Sequence, residues 1–209
     1  FHTSDINKIE VFDSQSDLII YDVDKNEVTN IENDSTEFEC YPAWSPDGKW
    51  LYYVSAHFEF RDTIPHEAEC IKRSKEIKYS IYRKSFNPET MQFGPREMVF
   101  DAASLGKSAT LPRISSEGQY LLFSMGEWGC FHIWHRDADL YMLRLADNKV
   151  WPLTKTNSPQ AESFHNFSSN GKWIIFSSRR NDGDYTRLFF AHVDADGNTT
   201  KAFELPQQD

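Results

Sequence analysis

The 209-residue sequence predicts an all-β fold made of four-stranded antiparallel β-propeller blades. Three observations lead there. The segment YPAWSPDGKWLYYVSA (41–56) recurs as LPRISSEGQYLLFSMG (111–126) and SFHNFSSNGKWIIFSSR (163–179). A second set of strand-like segments interleaves with the first: DLIIYDVDKNE (17–27), YSIYRKSFNPET (79–90), ADLYMLRLADNK (138–149) and TRLFFAHVDADG (186–197). Together they give a unit of about 50 residues holding four strands, the length of a propeller blade. Finally, aromatic residues make up 15% of the chain and helix-forming runs are scarce, which suits pleated sheet.

Taken in order, the elements are as follows. KIEVF (8–12) and DLIIYDV (17–23) are expected to be the outer strands of a partial blade over 8–35. Full blades follow at 41–100, 110–155 and 163–205, all within one domain, 1–209. In each full blade a short inner strand ends at a hairpin centred on Gly48, Gly118 or Gly171, where glycine supplies the positive φ of a tight turn. The strands after these turns (KWLYYVS, QYLLFSM, KWIIFSS) are nearly continuous in apolar residues, as strands covered on both faces are. Trp50 is expected between blades. Asp47 and Ser45 recur only loosely, so stability should depend on Gly48 more than activity depends on Asp47. Three and a half blades leave open edges, and an open propeller exposes unpaired strand edges. The chain is therefore expected to be part of a larger ring, to be completed by another chain, or to self-associate through those edges.

Composition narrows the function classes. The formal net charge of −10 argues against nucleic acid, which needs a concentrated basic face. The densest basic run, KRSKEIK (72–78), is short and broken by Glu76. No apolar run approaches the ~20 residues of a membrane helix. The chain opens on FHTSD, with no signal segment in it.

Two insertions interrupt the pattern at equivalent points of adjacent blades, the loop 57–78 and the segment EWGCFHIWHRDA (127–138), so they are expected to be neighbours on one rim. His132 and His135, three apart, with His57 or His66 from the other insertion, are metal-ligand types. A structural, hydrogen-bonded role is the expectation, and no metal or cofactor is expected. The shared rim also suggests a Cys70–Cys130 disulfide. Trp44, Arg113 and His165 fall on the inner strands that line a propeller's channel, and Arg113 there needs a partner or water. Arg179 and Arg180 either meet an anionic ligand or form a solvated pair. DVDKNE (22–27) and DADGN (194–198) resemble calcium loops but fall at hairpin turns. GKSAT (106–110) lacks the earlier glycine of a phosphate-binding loop.

WSPDGKWLYYVS, followed by LYMLRL and then WPLT, resembles the TolB-type WD40-like propeller repeat over about residues 8–205. GCFHIWHRDADLYML and NGKWIIFSSRRNDGDYTRLFF resemble TolB-like proteins of Bacteroidetes-type bacteria. The resemblance implies a periplasmic or envelope-associated, non-catalytic binding or scaffold propeller, working through protein or ligand contacts at rim loops and the channel mouth. The contrary expectation is an enzyme or a sugar- or peptide-binding protein, with a channel-mouth site near Arg113, His132, His135 and His165. Related propellers occur fused to hydrolase domains in peptidases.

Overall fold

Alternating apolar strands need faces to bury, and here they bury them against one another. A computed structural model describes residues 2–5, 8–61 and 63–206. Among these, strands β1 (His2–Asp5) and β2 (Lys8–Glu10) form one two-stranded sheet, and β3 (Leu18–Asp22) and β4 (Glu27–Glu32) another. Three four-stranded antiparallel blades follow. The first holds β5 (Glu37–Trp44), β6 (Trp50–His57), β7 (Ser80–Asn87) and β8 (Gln92–Phe100). The second holds β9 (Ser108–Ile114), β10 (Tyr120–Gly126), β11 (Asp139–Arg144) and β12 (Lys149–Pro152). The third holds β13 (Glu162–Phe167), β14 (Trp173–Ser178), β15 (Arg187–His192) and β16 (Phe203–Glu204).

The expectation that both segments belong to one partial blade is corrected. KIE does not lie beside DLIIYDV; it pairs with His2–Asp5, and β3 pairs with β4. Local turn chemistry explains the swap. The Asp22 carboxylate accepts the amides of Asp24 and Lys25, and Asn26 takes φ 55°, closing β3 directly onto the next strand.

The hairpins between first and second strands repeat in detail. Ser45, Ser115 and Ser168 each accept the amide of the residue five positions on through the hydroxyl oxygen, at 3.0 Å. Gly48, Gly118 and Gly171 each donate to the carbonyl of that same serine and sit at φ 68–70°. The serine therefore recurs as strictly as the glycine, contrary to the expectation that it recurs loosely. Asp47 and Asn170 accept the serine hydroxyl, and Glu117 does not.

Three apolar cores separate four layers. Alternate residues of β10 divide between two of them: Leu121 and Phe123 join Tyr52 and Val54 of the first blade, while Tyr120 and Leu122 join Ile174 and Phe176 of the third. Leu51 and Tyr53 of β6 pack with Leu18 and Ile31 of the β3–β4 hairpin. Trp50 is half-buried against the first of these cores, beneath the Arg83 guanidinium. β14 differs from β6 and β10: only Ile174, Phe176 and Ser178 are buried, and Trp173, Ile175 and Ser177 look outward. Its second face has no blade over it among the described residues, and the burial pattern records this.

Candidate functional site

The inner strands β5, β9 and β13 lie side by side, and each carries the same irregularity. Register shifts between Cys40 and Ala43, opposite Leu122/Ser124, and between Ser163 and Asn166. At these bulges Tyr41, Leu111 and Phe164 adopt φ of 53°, 56° and 46°, a left-handed conformation unusual for residues with large side chains. A bulge takes a backbone group out of the ladder, and that group needs another partner. His165 supplies it between the second and third blades. Its Nε2 donates to the Leu111 carbonyl at 2.7 Å and to the Leu122 carbonyl at 3.2 Å. The ring is buried and burial holds it neutral, its pKa brought down to about 3. At the corresponding point of the inner strands, β5 and β9 have Pro42 and Pro112.

Arg113 sits half-buried on β9 and, among the described residues, donates to the carbonyl of Pro112 alone, at 2.9 Å. No carboxylate among the described residues pairs with it, and desolvation lowers its pKa. Trp44 is exposed at the end of β5, edge-on to Phe86 with ring centroids 5.1 Å apart and beside Phe93.

The two insertions meet on the rim as the spacing implied. The Gly129 amide donates to the Ile77 carbonyl at 2.9 Å, and the Lys78 ammonium donates to the Glu127 carbonyl. Residues 66–72 form a helix, α1 (His66–Lys72). His132 and His135 come together, ring centroids 5.3 Å apart, but both turn inward. His132 is fully buried, its Nε2 on the Gly129 carbonyl and its Nδ1 on the Ser124 hydroxyl. Burial and the neighbouring His135 bring its pKa down to about 3. His135 places Nε2 3.1 Å from Glu10 Oε1 and packs on Trp128. His57 contacts Glu37 and Glu59, and His66 stacks on Phe60, so neither joins the His132–His135 pair. Among the described residues, no three His, Cys, Asp or Glu side chains converge as a metal ion would require.

Arg179 and Arg180 are engaged by the protein rather than paired in solvent. Arg179 lies over the Trp134 ring, 3.3 Å from its centroid, and donates to the Gly183 and Asp184 carbonyls, tying the third blade to the second insertion. Arg180 pairs with the buried Glu162 at 2.9 Å and reaches the Thr156 carbonyl at 2.8 Å. The Ser158 and Ser178 hydroxyls complete the Glu162 shell.

Cys40, Cys70 and Cys130 are free thiols, so the expected Cys70–Cys130 bond is not formed. A rim shared by two loops does not fix which way a side chain points, and the Cys130 thiol reaches Asp13 Oδ2 at 3.7 Å instead. The two calcium-like stretches are turns whose leading carboxylates, Asp22 and Asp194, accept backbone amides. No helix among the described residues is long and apolar enough to cross a membrane.

No protein-family model matches the chain, and no curated protein matches it. Solved structures do. TolB from Acinetobacter baumannii is 15% identical with a TM-score of 0.54, over 92% of this chain and 39% of that one. A puromycin hydrolase S511A mutant complexed with PGG is 14% identical, TM-score 0.53, over 82% of this chain and 23% of that one. A Mycobacterium tuberculosis puromycin-hydrolyzing peptidase is 15% identical, TM-score 0.52, over 87% and 24%. The chain thus spans well under half the length of each. At such identities the likeness concerns architecture, and the architecture is that of a partial TolB-like β-propeller.

Proposed function

We propose that this chain is a non-catalytic binding or scaffold module of the bacterial envelope, of the Bacteroidetes type that its sequence resembles, and that it holds a partner protein. One observation carries the reading: the histidines, Arg179 and Arg180 are spent on internal bonds, while one face of the third blade is left open, apolar and aromatic. On the outer face of the third blade Trp173, Ile175, Leu188, Phe190 and Phe203 share one side of the sheet by register. Trp173 is 38% exposed, Leu188 43% and Phe203 47%. A contiguous apolar face of this kind is what protein interfaces use. Photo-crosslinking side chains placed at Trp173 and Leu188 in an envelope-expressed protein test it. A discrete protein adduct at both positions and none at exposed Lys25 is expected; no adduct, or equal adducts at all three, overturns the reading.

A second reading places a small anionic ligand at the channel mouth, and Arg113 favours it as a half-buried guanidinium without a carboxylate partner. His165, His132 and His135 would then frame the site rather than bind. Arg113→Ala abolishing ligand uptake, with His132→Ala and His135→Ala altering only stability, would favour this second reading. Elemental analysis that finds bound zinc, copper or nickel would instead favour an enzyme.

A further inference from the structure

Given that the open face of the third blade binds protein, we propose that its occupant is a second copy of this chain. The copy seats its β3–β4 sheet there, head to tail, and two copies close one ring. Contacts inside the molecule show what such a seat requires. Where the second blade meets the third, Tyr120, Leu122, Leu140 and Met142 are buried in one core with Ile174 and Phe176. Where it meets the first, Tyr141, Leu143 and Val150 turn the other way and join the core that holds Tyr52 and Val54. Each blade thus has a forward face and a rear face, set by alternation along its strands.

The two ends of the stack carry one face of each kind, uncovered among the described residues. In the third blade Trp173 pairs with His192, Ile175 with Phe190 and Ser177 with Leu188. This repeats the second blade, where Tyr120 pairs with Arg144, Leu122 with Met142 and Ser124 with Leu140. Trp173, Ile175, Leu188 and Phe190 therefore occupy the forward positions that are buried in the second blade. At the other end Tyr21 pairs with Val28 and Ile19 with Asn30, as Leu143 pairs with Val150 and Tyr141 with Pro152. The turns between these strands agree as well, with Asn26 and Asn148 both at φ 55°. Ile19, Tyr21 and Val28 therefore occupy rear positions, yet each is more than half exposed.

One end is a forward face lacking a rear face, and the other end is the reverse. Seating one on the other reproduces the contact already made between the chain's own blades. By register β3 and β4 correspond to the third and fourth strands of a full blade, so they reach β15 and β16, where Leu188, Phe190 and Phe203 lie. Neither apolar stripe includes a carboxylate, an ammonium or a guanidinium, so the contact is driven by burial of apolar surface. A head-to-tail contact forms a ring where the rotation closes. Two copies supply about eight layers, within the range of closed propellers, and leave neither face open.

Sedimentation velocity of the full chain at micromolar concentration is the test, and a species of twice the mass of one chain is expected. Tyr21→Glu and Leu188→Glu should each weaken dimerisation by about 100-fold or more, because each places a carboxylate in every contact of the ring. Both residues are exposed in the single chain, so neither change removes a core contact. Mixing the two variants should restore a dimer, since Tyr21→Glu keeps an intact third blade and Leu188→Glu an intact β3–β4 sheet. That recovery also shows that both variants are folded. A monomeric wild type, open-ended chains of copies, a dimer that Tyr21→Glu leaves intact, or folded variants that stay monomeric when mixed overturns the proposal. A monomeric wild type that still gives adducts with another protein at Trp173 and Leu188 overturns only the identity of the occupant. Neither dimer nor adduct overturns the protein-binding reading as well.

Discussion

His165 shows how much one side chain can hold. Its imidazole closes the gap that the Leu111 bulge opens in the ladder, and it does so from the neighbouring blade. Removing the donor leaves a buried carbonyl without a partner, a loss of about 1–3 kcal/mol. His165→Phe should therefore lower the unfolding free energy from urea titration by that amount, and His165→Gln, which restores an N–H, should recover part of it. Equal midpoints for His165→Phe and the wild type would show that the bond adds nothing. At this scale the sequence was only partly legible. Gly48, Gly118 and Gly171 announce their positive φ by being glycine. Tyr41, Leu111 and Phe164 adopt the same region without any such signal, because sheet pairing on both sides imposes it. The role of His165 was hidden for a related reason: its partner lies 54 positions away in sequence.

At the scale of elements, turns meet blades closely enough to limit side-chain size. Gly197 lies in the turn after β15 at φ 77°, and an added Cβ would come within 2.8 Å of the Tyr120 ring and 2.9 Å of the Trp151 ring. A Cβ at Gly48 would meet nothing within 4 Å, leaving the conformational cost alone. Gly48→Ala is expected to cost about 1 kcal/mol and Gly197→Ala about 2–4 kcal/mol, with chemical denaturation as the measure. Equal costs would mean that the turn yields freely. The blades themselves were legible because hairpin glycines and apolar strands occur at a fixed period. The N-terminal pairing was not, because KIE and DLIIYDV carry equal strand signals and only the Asp22 turn decides between partners.

The whole molecule answers to pH through groups that oppose one another. Burial lifts the Glu39 carboxyl to about 7, and both of its oxygens are buried without a hydrogen-bond partner. The folded chain thus holds a proton there that the unfolded chain releases above about 4.5, so this contribution is lost as pH rises from 4.5 to 7. His132 and His165 act the other way. They stay neutral in the fold down to about 3 and protonate in the unfolded chain below 6.5, so stability falls as pH drops through that window. Glu39→Gln should steepen the loss of stability between pH 6.5 and 4.5 by about one proton, and His165→Gln should flatten it by about one proton. Urea midpoints across that range measure both slopes, and parallel slopes for Glu39→Gln and wild type would refute the Glu39 assignment. The division of β10 between two cores bears on motion as well. Its amides can exchange with solvent only when the second blade parts from both neighbours at once, whereas those of β14 need a single interface to open. Amides of β10 are therefore expected to exchange more slowly than those of β14, which hydrogen exchange measures.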